Sequence, residues 1–294
     1  MKQAKTDQGQ GILKTGEGIS TGMRRLARRH LDAACRQLDH NPDTRRAVHE
    51  TRKSLKKLRA LVRLLAPELG RESYRREMRA FRNAGRLLAS LRDAEVQLHT
   101  FDALVKNSKL PLQDFAEIRG ELEAAALELS SEAADSRRRV RKRLGLARKR
   151  VGDWSLGAIR VKNLAEEIRR TYSKGRKALR VAQKENSEIL AFHAWRKKVK
   201  ELWYHLRIVQ VYLAPSAETR IAEIDAMGEA AGEVHDLAVL RETLAAHSPT
   251  LQTAQLIAAI DVRLPALQAE AMKRGDRFYA EKPADFAGQY FRAF

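Results

Sequence analysis

Two short segments of the chain place a histidine ahead of the same set of cationic side chains. Counted from each histidine, an arginine follows at +3, a lysine at +4, a lysine at +7 and an arginine at +14. An α-helix turns about 100° per residue, so these five positions fall within an arc of about 100°. Cations held in such a row suit phosphate oxygens, which arginine binds through paired hydrogen bonds and lysine as a point charge. The residues are His49, Arg52, Lys53, Lys56 and Arg63 in the first segment, and His193, Arg196, Lys197, Lys200 and Arg207 in the second.

The opposite arc of each segment is apolar. It carries Leu58, Leu61, Val62 and Leu65 in the first segment, and Trp195, Leu202, Leu206, Val209 and Leu213 in the second. Each helix should therefore bury one face and hold its cations still on the other. Two such rows predict a binding site for an extended polyanion.

The whole chain is strongly basic. Its 294 residues carry a formal net charge of +20, with a pI near 10.3. An excess of this size favours an anionic partner, which is nucleic acid, an acidic membrane or an inorganic polyanion. The alternative is a highly soluble basic protein without a specific ligand. Abundant Leu, Ala, Arg, Glu and Lys with an apolar period of 3.6 residues predict an all-α fold.

Other features of the sequence bear on its compartment. A single cysteine, Cys35, excludes a disulfide framework and fits a reducing environment. Residues 1–16 lack the apolar run of a secretory signal, and no stretch of about 18 apolar residues occurs. We therefore expect a cytoplasmic protein that does not span a membrane and begins with a flexible segment at 1–16.

Helix start and stop signals divide the chain into roughly eight segments. A second motif is also duplicated, because Gly85, Asp93 and Val96 match Gly228, Asp236 and Val239 at an offset of about 143 residues. A repeat this long predicts two four-helix halves related by a pseudo-twofold axis. The segments run over about 18–39, 44–66, 71–107, 111–150, 155–184, 187–213, 216–247 and 250–280, with Pro265 expected to kink or divide the last.

The duplicated histidine helix, followed each time by a Gly and an Arg/His-Asp-x-x-Val helix, resembles the CHAD family (conserved histidine α-helical domain). The stretches Arg169 through Arg180 and Gly275 through Phe286 are also similar to that family's pattern. The similarity covers roughly residues 17–286, in halves of about 17–150 and 155–286, and leaves residues 287–294 as a tail.

The resemblance implies two four-helix bundles around a central basic cavity. It also implies binding of inorganic polyphosphate and association with polyphosphate granules. Polyphosphate is a flexible thread of charge without bases, so its binding needs dense cations on rigid supports. The expected location is the cytoplasm, at such granules.

Further cations are candidates for the same groove. Arg169, Arg176 and Arg180 lie within about 40° of each other on a helix and predict a third row of ligand contacts. Tyr204 lies near the histidine face of its helix. The run from Arg137 to Arg150 holds nine cations and no acid, and its contact with ligand is left open.

The acidic side chains in the second motif need a different role, because a carboxylate repels phosphate. A carboxylate beside the site orients an arginine or histidine by accepting its hydrogen bond, or it forms an ion pair between helices. We assign this supporting role to Arg92, Asp93, His235 and Asp236.

Three other functions were weighed. A metal site of two histidines and a carboxylate is disfavoured by the surrounding cations, and no cofactor or metal is expected. A histidine phosphotransfer module is disfavoured because His193 lacks the acid that follows His49. Specific nucleic-acid binding lacks a reader motif, so such binding is expected to be non-specific only. No phosphate loop or nucleophile motif is visible, which favours a binding protein over an enzyme.

Overall fold

The computed structural model describes residues 11–184 and 189–291, and this part of the chain consists of helices joined by short turns. The prediction of an all-α fold is confirmed. The first six helices are α1 (Ile19–His40), α2 (Thr44–Leu64), α3 (Ala66–Leu69), α4 (Arg71–Arg86), α5 (Ala89–Asn107) and α6 (Ala116–Arg150). The other five are α7 (Val161–Lys184), α8 (Ile189–Val209), α9 (Ala217–Ala245), α10 (Leu251–Phe278) and α11 (Pro283–Tyr290).

The helices form two groups of four. In the first half, α1 packs on α2 and α6, and α4 packs on the same two helices. In the second half, α7 packs on α8 and α10, and α9 packs on the same two helices. The halves meet where α2 packs on α8 and where α5 packs on α9. The two histidine helices, α2 and α8, therefore lie against each other at the junction.

The third helical segment differs between the halves. The region 71–107 was expected as one long helix that might be broken, and the structure divides it into α4 and α5 at Leu87 and Leu88. The matching segment of the second half is the single helix α9. The last long helix is not divided, since α10 continues through Pro265.

Local hydrogen bonds fix where the helices start. The Asp43 carboxylate accepts a hydrogen bond from the backbone N–H of Arg46 at 3.0 Å and so caps α2. Thr250 and Thr253 form a reciprocal capping box at the start of α10. Gly70, with φ of 69°, separates α3 from α4 in a conformation that glycine adopts without strain. These turns set the register of the histidine helix and of α4.

One apolar core runs through both halves, and a smaller core joins the ends of α5, α6, α9 and α10. The C-terminal helix α11 belongs to the larger core, because Phe286 stacks on Tyr172 with ring centroids 4.2 Å apart and Tyr290 is buried. The packed chain thus extends beyond residue 286. Within the described ranges, none of the helices has the length and hydropathy to cross a membrane.

Candidate functional site

The cationic rows of α2 and α8 meet at Lys56. The ammonium of Lys56 lies close enough to Arg52 and Arg92 of the first half, and to Arg196 and Lys200 of the second, to feel their charges. Burial, followed by these four like charges, lowers its pKa to about 8. The side chain as a whole still reaches solvent. We call Arg52, Lys56, Arg92, Arg196 and Lys200 the central cluster; it contains cations from both repeats.

Two arginines at matching positions lie beside carboxylates of the neighbouring helices. Arg52 donates from Nη1 to the carbonyl oxygen of Gly85 at 2.8 Å, and its Nη2 lies 3.8 Å from Asp93. Arg196 lies beside Asp236. Burial lowers the pKa of both guanidinium groups, and the nearby carboxylates partly offset that effect. Arg52 is therefore oriented by α4 and α5, whereas Nε of Arg196 is buried without a hydrogen-bond partner among the described residues.

The carboxylates occupy the edge of the central cluster. Burial raises the pKa of both Asp93 and Asp236, and the charges of Arg92 and Lys56 act on both of them in the opposite direction. The structure thus places these acids beside the cations that they were expected to orient. Arg92 itself lies inside the central cluster, which makes it a direct candidate for ligand contact.

The two repeated histidines have different surroundings. The His193 ring lies perpendicular to that of His235, with centroids 4.0 Å apart, and Nε2 of His193 contacts Nδ1 of His235. Burial, then Arg196 and His193, lowers the pKa of His235 to about 4. His49 has Arg92 as its strongest charged neighbour instead. Burial lowers the pKa of His49 and of His193, so both rings are neutral donors or acceptors near pH 7.

Lys200 of the central cluster and the other predicted residues of α8 have the following neighbours. The Lys200 ammonium lies 2.6 Å from Glu229, 3.7 Å from Asp225 and 5.1 Å from the centroid of the Trp203 ring. Arg207 also lies over that ring, at 5.7 Å. Two further predicted residues of α8 lie nearby. Tyr204 interacts with Arg196, and the charge of Lys197 acts on His193 and His235.

Two predicted residues on α2 have acidic partners. The Nζ atom of Lys53 lies 3.3 Å from Glu50 on the same helix, and Nε of Arg63 lies 3.8 Å from the buried Glu201 of α8. Arg63 therefore connects the two histidine helices, whereas the ion pair of Lys53 stays within α2.

The predicted third row does not line the groove between α2 and α8. Thr171 marks the face of α7 that contacts α8, since its hydroxyl lies 3.2 Å from Nδ1 of His205. Arg169, Arg176 and Arg180 lie about 140–180° around α7 from Thr171. Arg169 is paired with Glu166 at 2.7 Å. The sequence showed that the three share a face, but the packing of α7 turns that face away from α8.

Several cations of the run from Arg137 to Arg150 serve packing. Arg137 donates to the carbonyl oxygens of Leu38 and Asn41 at the end of α1, at 2.8 and 3.0 Å. Arg150 pairs with the fully buried Glu77 of α4 at 2.7 Å. The other pairs between helices join Arg141 to Asp39 and Arg148 to Asp32.

Two cations next to the central cluster are not among the site residues predicted from the sequence. Arg59 lies between Arg52 and Arg63 on α2, and the charge of Arg82 from α4 acts on it. Burial and these like charges lower the pKa of Arg59. Its Nε is buried without a hydrogen-bond partner among the described residues. Arg59 falls on the same helical face as Arg52 and Arg63, so its spacing in the sequence could have identified it as a site residue. No comparable spacing in the sequence points to Arg82.

The central cluster opens into a groove. Between α5 and α9 lies a cavity of about 740 Å³ whose lining includes the cations Arg92, Arg196 and Lys200 and the acids Glu229, Glu233 and Asp236. Across the described residues, no three His, Cys, Asp or Glu side chains converge closely enough to hold a metal ion. The cavity suits an anion that contacts cations from both repeats.

Comparisons with known proteins place this geometry in a family. A crystal structure of the CHAD domain from the plant Ricinus communis superposes with a TM-score of 0.64 at 15% identity, covering 92% of this chain and 93% of that one. No curated protein matches the sequence. The family model for the CHAD domain matches residues 24–245. The chain therefore belongs to the CHAD domain family.

Proposed function

We propose that this protein binds inorganic polyphosphate at the central cluster, without catalysing a reaction, and that it associates with polyphosphate granules in the cytoplasm. The ligand contacts the cations of both histidine helices at once. His49 and His193, which are neutral near pH 7 in the free protein, add hydrogen-bonding groups, and Asp93 and Asp236 orient the arginines beside them.

The observation that carries the proposal is the convergence of four other cations on Lys56. Their mutual repulsion costs folding free energy unless an anion neutralises it. A polyphosphate chain is flexible and carries closely spaced negative charges, so it can contact cations of two different helices at once. The family resemblance points to the same ligand.

Nucleic acid is a less suitable ligand for this surface. Proteins that bind single strands without reading their sequence stack the bases on open aromatic faces. Two aromatic rings lie beside the central cluster: Lys200 and Arg207 lie over Trp203, and Tyr204 packs against Trp203 with ring centroids 4.7 Å apart. Nucleic-acid bases would therefore gain little stacking energy here, and any binding of nucleic acid would depend on contacts to its phosphates.

A phosphotransfer role also fits poorly. The Nε2 atom of His193 contacts the His235 ring, so it is not presented to a partner protein. Arg52 and Lys56 next to His49 suit a phosphate ligand held in place.

The experiment is a calorimetric titration with long-chain polyphosphate, compared with DNA of equal total charge. We expect tighter binding of polyphosphate and a steep loss of affinity with salt, of roughly one log unit per log unit of salt for each contacted phosphate. Saturation at about 100 times the dissociation constant should stabilise the fold by about 2.7 kcal/mol. A salt slope near zero, or DNA binding as tight as polyphosphate, would refute the proposal.

A further inference from the structure

A row of five arginines on α4 was not part of the predicted site. Their spacing of four, four, three and four residues puts them within an arc of about 80° on one helical face. All five side chains are exposed, and within the described part of the chain none of them forms an ion pair or a hydrogen bond. We call Arg71, Arg75, Arg79, Arg82 and Arg86 the α4 stripe.

The C-terminal end of the α4 stripe adjoins the central cluster through two contacts. Arg52 donates to the carbonyl oxygen of Gly85 at 2.8 Å, one residue before Arg86. The charge of Arg82 acts on Arg59, which in turn lies next to Arg52 and Arg63. Arg82 therefore connects the stripe to Arg59 and, through Arg59, to the cations of α2.

The N-terminal end of the α4 stripe leads away from that junction. From Arg86 to Arg71 the helix rises about 22 Å, with one arginine for about every 6 Å. The helix contains two acids. Glu72 is exposed, and Glu77 is fully buried and paired with Arg150 and Arg76. The stripe thus carries unpaired positive charge along its whole length.

We propose that the α4 stripe is a second segment of the binding site, along which a polyphosphate chain too long for the central cluster continues. This inference rests on the proposed function and gives it a chain-length preference. Exposed arginines at regular intervals suit a flexible phosphate thread, and the aromatic residues Tyr74 and Phe81 of α4 pack against the core instead of sharing the arginine face. The central cluster binds one part of the chain and the stripe binds the part that leaves it.

The test compares a short polyphosphate, which occupies the central cluster alone, with a long one. The variant Arg71→Gln, Arg75→Gln, Arg79→Gln removes the outer part of the stripe and keeps the two arginines at the junction. Glutamine is a good helix former and the positions are exposed, so the fold is retained, as circular dichroism would verify. A single Arg75→Glu variant provides a second measurement of the same region.

A matched control removes the same charge from another surface row, in which Arg28 and Arg36 are exposed and Arg29 is half-buried. Arg28, Arg29 and Arg36 lie on the face of α1 that is turned away from the buried residues of that helix, and among the described residues they have no ion pairs. The control variant is Arg28→Gln, Arg29→Gln, Arg36→Gln. It has the same net charge as the stripe variant, so it separates a local contact from the overall field.

We expect the stripe variant to bind the long chain about tenfold more weakly, because each exposed ion pair contributes a factor of about 1.5 to 5. Its salt slope for the long chain should fall by about two units. Its affinity for the short chain, and the affinity of the control for both chains, should not change. Equal losses in the stripe variant and the control, or unchanged binding of the long chain, would overturn the inference.

The same experiment separates this inference from the proposed function. If wild type binds both chain lengths and Arg52→Ala, Lys56→Ala weakens both, the central site stands whatever the stripe variant does. If wild type binds neither chain, the proposed function and the stripe both fail.

Discussion

The two repeats share their histidine helices but differ in the helix that follows. In the first repeat, α4 carries six arginines and two glutamates. In the second, residues 217–233 of α9 carry five acids and one arginine. At the offset of 143 residues, Arg82 matches Asp225 and Arg86 matches Glu229. These two acids are the partners of Lys200, so duplication preserved the cationic row while the neighbouring helix changed sign.

The difference indicates a division of roles between the repeats. The cations of the first repeat are in contact with an unpaired basic surface, so they can extend a binding path. Lys200 of the second repeat is already paired, and Trp203 takes the place that Arg59 has in the first. In the proposed binding mode, the first repeat continues the ligand path and the second limits it.

The largest expected effect tests this division at the central cluster. Arg52→Ala with Lys56→Ala should weaken polyphosphate binding by about 3 to 5 kcal/mol, because two charged contacts are lost. Arg196→Ala with Lys200→Ala should cost less, because Lys200 must first leave Glu229. Titration calorimetry measures both, with circular dichroism to confirm the helical fold.

Arg119→Ala is the control for those variants. Arg119 pairs with Asp102 at 2.9 Å and is outside the site, so its loss should leave binding unchanged. Equal losses from both double variants and from the control would mean that binding depends on total charge alone.

The second prediction concerns His205, which matches Leu61 of the first repeat. His205 is fully buried, with Nε2 at 2.9 Å from the carbonyl oxygen of Ala60 and Nδ1 near Thr171. Burial lowers its pKa from 6.5 to about 4. The unfolded chain therefore binds a proton more readily, and stability is lost as the pH falls from about 6.5 to about 4, by about 3 kcal/mol.

His205→Leu introduces the residue of the other repeat. It should destabilise the fold by about 2 kcal/mol at pH 7.5, since two hydrogen-bonding groups lose their partner. It should also reduce the acid sensitivity, so that the difference from wild type shrinks at pH 5. Urea unfolding at both pH values measures this, and a pH-independent difference would show that His205 does not titrate.

The third prediction uses the histidine pair. A bound polyanion favours protonation of His193 and His235, whose pKa values are lowered in the free protein. Binding should take up protons, and affinity should rise about tenfold from pH 8 to pH 6. Calorimetry in two buffers of different ionisation enthalpy counts the protons.

Removing the pair should show which repeat takes up more. His193→Gln with His235→Asn is expected to abolish more of the uptake than His49→Gln, because it removes two titratable rings instead of one. The absence of proton uptake in wild type would mean that the histidines act only as neutral groups.

The smallest effects concern one pair of matching positions. Arg86→Gln should weaken polyphosphate binding by about 0.5 to 1 kcal/mol, whereas Glu229→Gln should strengthen it by a similar amount, because Lys200 is released to the ligand. Both variants change one charge on an exposed helix face, so their opposite signs test the comparison directly. Changes of the same sign would contradict it.

The sequence by itself determined the helical class, the duplication and the cationic face of each histidine helix. These follow from local periodicity, since positions on one helix have fixed angles to each other whatever surrounds them. The same reasoning identified Asp93 and Asp236 as unusual among cations. It could also have found Arg59, which shares a face with Arg52.

Only the tertiary structure decided which of these faces meet. Packing of α2 on α8 brought Lys56 among four other cations, and packing of α7 through Thr171 turned Arg169 away from them. Packing of α4 on α2 placed Arg82 near Arg59. Contacts between helices depend on how distant segments fill a shared core, and that information is absent from the spacing of residues within any one helix.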